Sequence, residues 1–247
     1  MKQGSCALLK ARARQALTGR YLTAMGALVL TDLIYAFMIA FLIPTGFTGR
    51  LAGLSLLSYL IILFLTILLL VGHNCLYLNF ARGSHAAMGQ IFFAFSHHPD
   101  RVILITAALF AAGFVCMLPF LLVSFFAYTS WLIGGMSLAA MAGAFGISGL
   151  ISLALFLLLT VRYAMAFFLY IDHPELNWLQ LLGESQRIMK GHGFRYIRLN
   201  LSFIGMLLLG VLSMGLALLW VIPYMIMTNT CFYLDLTDSH SDADAQN

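Results

Sequence analysis

Few residues able to do chemistry interrupt the long apolar stretches of this chain, and Asp32 is the sharpest of them. An ionised carboxylate near the middle of a membrane helix costs about 2.5 to 3.5 kcal/mol on insertion scales. Tyr35 follows it one helical turn along the same face, and the polar pair His73-Asn74 lies in the next apolar stretch. Asp32, Tyr35, His73 and Asn74 could together form an intramembrane site for a proton or cation. The competing account is a hydrogen-bonded acid that fixes helix packing. It gains weight because no second acid falls within a span to form a relay. Transport would also require Thr31, Thr66, Asn200, Ser202, Thr228 and Asn229 to converge on one cavity with Asp32.

Other chemistry is sparse. His85, His97, His98 and Asp100 lie near one another in sequence, but adjacent histidines diverge at a helix start and no His-x-x-x-His spacing occurs, so no metal is expected. Cys6, Cys75, Cys116 and Cys231 are far apart and form no C-x-x-C pair, which reads as ordinary buried thiols. No G-x-S-x-G, H-E-x-x-H or phosphate-binding glycine loop is present, and no two carboxylates are spaced to act as acid and base. The expectation is a non-enzymatic protein without a cofactor.

The elements that must carry these residues are membrane helices. Hydrophobic residues make up 62% of the 247 positions and charged residues only 9%, whereas soluble chains run at roughly a quarter charged. The stretches 33 to 49, 51 to 81, 102 to 161 and 199 to 234 hold no Asp, Glu, Lys or Arg. A span needs about 20 apolar residues. The fold class expected is therefore all-α, a polytopic transmembrane bundle of about six spans. The spans fall near 22 to 43, 52 to 78, 102 to 126, 136 to 170, 198 to 213 and 216 to 235, the last two joined at Ser213-Met214-Gly215. Residues 1 to 21 read as a cytoplasmic interfacial helix, 22 to 236 as the membrane domain, and 237 to 247 as an acidic cytoplasmic tail, with Asp235, Asp238, Asp242 and Asp244 at a solvated end.

Orientation follows from the cations, because Lys and Arg concentrate on the cytoplasmic side. Six spans place twelve of the thirteen basic residues there, with only Arg50 outside. Both termini are then cytoplasmic. The N-terminal apolar run is too long for a typical signal sequence, and no small-x-small cleavage site clearly precedes Pro44 and Gly46, so it reads as a retained span.

Three amphipathic segments lie on the basic side. In residues 2 to 20, Leu8, Leu9, Ala13, Ala16 and Leu17 alternate with cations. Ile91, Phe92, Phe93 and Phe95 form a second segment. In the third, Pro174 suits a first helical position, Leu176, Leu179, Leu182 and Ile188 share a face, Trp178 suits headgroup depth, and Gly191-His192-Gly193 ends the helix. Each segment precedes a pair of spans, an order that fits either three copies of one unit or topology alone. Residues 13 to 19 loosely parallel 185 to 191. Arg12, Arg14, Arg20, Arg187, Lys190, Arg195 and Arg198 are the expected contacts to anionic lipid headgroups, each worth about 1 kcal/mol near the surface. A protein partner or a homo-oligomer is the other expectation, and nucleic acid is not. In the fourth span, Gly143, Gly146 and Gly149 with Ala139 and Ala142 suggest a close helix contact.

Two regions also resemble a known family. Leu9-Lys10-Ala11-Arg12-Ala13-Arg14-Gln15-Ala16-Leu17-Thr18-Gly19-Arg20-Tyr21 is one. The other runs from Glu184-Ser185 through Met189-Lys190-Gly191-His192, Leu201-Ser202-Phe203-Ile204-Gly205 and Leu219-Trp220-Val221-Ile222-Pro223-Tyr224 to Phe232-Tyr233-Leu234-Asp235-Leu236. The chain is similar to the bacterial membrane proteins called domain of unknown function 975. The resemblance implies architecture and localisation, in the plasma membrane of a bacterium, and carries no catalytic residues. In general shape the chain is also similar to membrane domains that accompany some glycerophosphodiester phosphodiesterases, but their soluble catalytic domain is missing and the activity does not transfer.

Overall fold

Apolar runs fold as helices because a membrane segment must satisfy its backbone N–H and C=O groups internally. The computed structural model describes residues 5–42, 52–84 and 87–244. Lys2, Pro44, Gly46, Arg50 and His85 lie outside the described residues. The regular structure among the described residues is all helical: α1 (Cys6–Leu17), α2 (Tyr21–Leu42), α3 (Ala52–Ala81), a 3-10 turn (Met88–Phe92) leading into α4 (Phe93–Ser96), α5 (Pro99–Leu132), α6 (Leu138–Tyr163), α7 (Ala166–Asp172), α8 (Trp178–Met189), α9 (Gly193–Leu201), α10 (Ile204–Leu212) and α11 (Leu218–Asp244).

Among the described residues, five stretches are long and apolar enough to cross a membrane: Tyr21–Ala40, Leu57–Ala81, Pro99–Leu132, Leu138–Asp172 and Gly193–Leu212. This is the layout of a membrane-embedded protein. The stretch expected as a sixth span differs in kind. It lies in α11, where Thr228, Asn229, Thr230 and Asp235 dilute the apolar character, and where Val221, Tyr224, Met227, Phe232, Tyr233 and Leu236 are buried in protein. Helix α11 touches α1, α2, α3, α8 and α10, which makes it the central post of the bundle. The turn before it does fall at Ser213-Met214-Gly215, with Met214 and Gly215 at φ 53° and 93°.

A proline within a helix has a local answer. Pro119 sits inside α5, where it cannot donate to the helix ladder. The N–H of the next residue, Phe120, donates instead across to Ser152 Oγ of α6 at 3.1 Å. That bond ties α5 to α6. Of the expected small-residue stripe in α6, Gly149 does face a neighbour, with Phe120 3.6 Å from where a Cβ would sit. Gly143 and Gly146 have nothing within 4 Å and mark no helix contact. The buried residues of α6 are Ser148 and Ser152.

The core gathers at the end of the bundle where the cations lie. Helix α1 contributes Leu9, Ala13 and Leu17, spaced four residues apart and fully buried, and α11 is the element it packs against most. The stripe read as interfacial therefore docks on protein, and only Leu8 remains exposed. Helix α8 also differs from expectation. It starts at Trp178, not near Pro174, because Asn177 and Gln180 close a reciprocal capping box. Its buried face is Leu181, Ser185 and Ile188, and Leu179 points outward.

One turn recurs. At Thr18 the backbone leaves α1 at φ −59°, ψ 127°, and at Lys190 it leaves α8 at φ −62°, ψ 121°. Each is followed by a left-handed glycine, Gly19 at φ 76° and Gly191 at φ 83°, and then by a new helix. The sequence parallel between 13–19 and 185–191 thus encodes the same corner.

The second amphipathic segment does not lie flat beside the bundle. It folds back along α3. Ile91 and Ala94 are buried, while Phe92 and Phe95 are exposed. The Ile91 backbone rests on Gly72, whose Cβ would overlap the Ile91 carbonyl, and the Met88 methyl lies 2.8 Å from where a Cβ on Gly26 of α2 would sit. Gly72 precedes Ala81 by nine residues, so the segment re-enters by about 14 Å of helix rise. Asn79 Nδ2 donates to Gln90 Oε1 at 2.9 Å and clasps it there.

Candidate functional site

The four residues proposed for an intramembrane site are not brought together. Thr31 faces α3: its Oγ1 lies 3.5 Å from His73 Nε2 and donates to the Ala27 carbonyl at 3.0 Å. Successive helix residues diverge by about 100°, so Asp32 turns away from α3 and is exposed, and Tyr35 is 40% exposed on the outer surface. His73 is buried, with Nδ1 3.0 Å from the Leu69 carbonyl, and Asn74 is half-buried beside it.

The wider polar set is consumed locally. Thr66 donates to Ile62, Thr228 to Tyr224 and Ser202 to Leu199, each to a carbonyl of its own helical stretch. Asn229 Nδ2 reaches Asn200 Oδ1 at 3.4 Å. None of these residues, nor Asp32, lines any of the cavities described below.

The cations expected at lipid headgroups divide into two groups. Several are built into the fold. Arg195 donates to Asp235 at 2.5 Å and lies over the Phe232 ring, and Arg12 approaches the same carboxylate at 4.0 Å. Asp235 is therefore no solvated tail residue. Its side chain is only 12% exposed, because burying Arg195 beside Phe232 demands a counter-charge. Arg14 donates to the Tyr224 hydroxyl at 3.2 Å, which also raises the guanidinium pKa, and Arg20 donates to the Phe80 carbonyl at 3.0 Å. The second group faces outward. Arg187 pairs with Glu184 on its own helix, and Lys190 and Arg198 are exposed.

The best-formed polar centre was not legible from spacing. Arg82, just past the end of α3, makes a two-pronged pair with Asp172 at the end of α7, at 2.8 and 2.7 Å, and the Tyr233 hydroxyl of α11 donates to the same carboxylate at 2.8 Å. Hydrogen bonding to Asp172 raises the Arg82 pKa above its ordinary value. Phe168 stacks on Tyr233 beneath. Ninety residues separate Arg82 from Asp172. The one available signal was that an Arg and an Asp each end an apolar run on the same side of the bundle. Its chemistry is structural: three donors hold one carboxylate, and they join α3, α7 and α11.

Several cavities among the described residues are open to the outside. One of about 470 Å³ lies among α1, the end of α3 and α11, with Arg12 and Arg20 opposite Asp238. One of about 660 Å³ between α3, α5 and α6 is almost wholly apolar, bounded by Phe110, Phe114 and Phe156. Another, about 610 Å³, lies where α6 meets α8 and α9 and carries Arg162, Arg187 and Lys190.

A family model described as "Protein of unknown function (DUF975)" matches residues 5–240. No curated protein and no solved structure matches the chain.

Proposed function

We propose, from the premise that the chain belongs to the DUF975 family, that it is a multi-pass protein of the bacterial plasma membrane with both termini cytoplasmic, and that it acts as a non-enzymatic module that engages anionic lipid and a partner helix. The observation that carries this reading is the placement of its polar groups. Thr31, Thr66, Ser202 and Thr228 bond within their own helical stretches, Asn200 and Asn229 form an isolated pair, and Asp32, the carboxylate in the middle of α2, faces outward. A passage for a solute would be lined by such groups. An outward acid at that depth instead costs about 2.5 to 3.5 kcal/mol unless another chain covers it. The α5–α6 hairpin supports the same reading, since its outer surface, including Phe114, Phe125 and Leu150, is bare apolar side chain.

The test is reconstitution in liposomes with cation and lipid flux recorded alongside oligomeric state. The expected result is no flux, retention of anionic lipid through purification, and loss of association with itself or a co-purifying membrane partner on Asp32→Leu. A pH-dependent flux abolished by Asp32→Asn would overturn the proposal in favour of a transporter.

A further inference from the structure

The groove at the α6–α8–α9 corner joins two kinds of surface within one helical turn. Leu158 of α6 is exposed and continues the bare apolar face of the hairpin, with Leu150 and Ile151 further along it. Four residues after Leu158 comes Arg162, and across the groove stand Arg187 from the last turn of α8 and Lys190 just past its end. Arg162 and Lys190 are exposed and have no acidic partner among the described residues. Arg187 is held by Glu184 at 3.0 Å, which fixes it on the rim.

Glycine keeps the groove open. Gly183, Gly191 and Gly193 line it without side chains, and at Gly193 a Cβ would meet Val161 Cγ1 at 3.0 Å. Three cations converging from two helices call for a phosphate-like anion, and the apolar wall leading up to them calls for a tail attached to it. Arg195, by contrast, is committed to Asp235 and Arg20 to a backbone carbonyl.

We propose that this groove is a seat for one anionic phospholipid, with the phosphate between Arg162 and Lys190 and an acyl chain along Leu158. The inference rests on the lipid-binding reading above and gives it an address. Electrostatic attraction of about 1 kcal/mol per cation converts to a loss of roughly tenfold to thirtyfold in affinity when two are removed.

The experiment is native mass spectrometry of the full chain released from vesicles of phosphatidylcholine with and without phosphatidylglycerol, read as lipid retained per chain. Wild type is compared with Arg162→Gln/Lys190→Gln and with Arg198→Gln, an exposed cation outside the groove. Retention of about one phosphatidylglycerol by wild type and by Arg198→Gln, lost in the double variant, is the expected result. Retention unchanged in the double variant, or lost equally in Arg198→Gln, overturns the groove while leaving lipid binding intact. No retention by wild type overturns both readings. Competition by inorganic phosphate as strong as by short-chain phosphatidylglycerol would overturn the lipid and leave a plain anion site. Thermal melting of all three proteins separates loss of lipid from loss of fold.

Discussion

Gly72→Ala removes nothing from the protein and adds one methyl group, which makes it a sharp probe of the re-entrant segment. The new Cβ would fall inside the envelope of the Ile91 carbonyl and 2.8 Å from the Ile91 Cα. Carbon and carbonyl oxygen approach no closer than about 3.3 Å without repulsion, so the segment must retreat by more than about 1 Å. No rotamer change can relieve backbone. The retreat unseats Ile91 and Ala94, both fully buried, and stretches the Asn79–Gln90 bond from 2.9 Å. Overpacking costs about 1 to 3 kcal/mol and more where the obstacle is rigid, which places this variant at about 3 kcal/mol. For a chain of this size that is a fall in Tm of about 6 to 12 °C. Gly143→Ala is the matched control, since its Cβ meets nothing within 4 Å and alanine is about 1 kcal/mol better than glycine in a helix. Thermal unfolding in detergent, followed by tryptophan fluorescence, should show Gly72→Ala well below wild type and Gly143→Ala at or above it. Equal melting of the two variants would refute the close approach of the segment to α3.

Three other substitutions test separate contacts by the same melting assay. Tyr233→Phe deletes one donor to the Asp172 carboxylate and should cost about 1 to 2 kcal/mol, discounted for the partial exposure of Arg82; an unchanged Tm would mean that α11 is not tied to α7 through that hydroxyl. Ser152→Ala leaves the Phe120 N–H beside Pro119 without its acceptor and should cost about 0.6 to 1 kcal/mol, the scale of polar bonds between membrane helices. The Tyr77 hydroxyl is buried with no hydrogen-bond partner among the described residues, so Tyr77→Phe should leave stability unchanged or raise it by about 1 kcal/mol; a clear loss would reveal a bond at that oxygen.

Helix content and apolar stretches were legible because charge exclusion and period are properties of the chain itself. The helix end at Gly191 was legible because a left-handed residue selects glycine, and the like corner at Gly19 showed only as a loose parallel between 13–19 and 185–191. What escaped was whatever depends on which helix faces which. Asp32 reads as a bundle-facing acid until Thr31 is seen to take the α3 side. Asp235 reads as a tail residue until Arg195 arrives from forty residues away. Gly72 carries no motif, yet a backbone rests on it, whereas the glycine series in α6 looks like a contact and for Gly143 and Gly146 is not one. The Arg82–Asp172–Tyr233 centre needed three helix ends in register, which no linear spacing records.

The docking of α1 on α11 sets an order of events during synthesis. Leu9, Ala13 and Leu17 leave the ribosome first, and their partners between Tyr224 and Leu236 leave more than two hundred residues later. At about 5 to 20 residues per second that interval lasts roughly ten to forty seconds. Throughout it the apolar stripe of α1 lacks its main cover, α11, and has only the end of α3 to pack against. Docking of α11 on that face closes the core, and a chain stalled before Tyr224 would lack the main cover of the stripe.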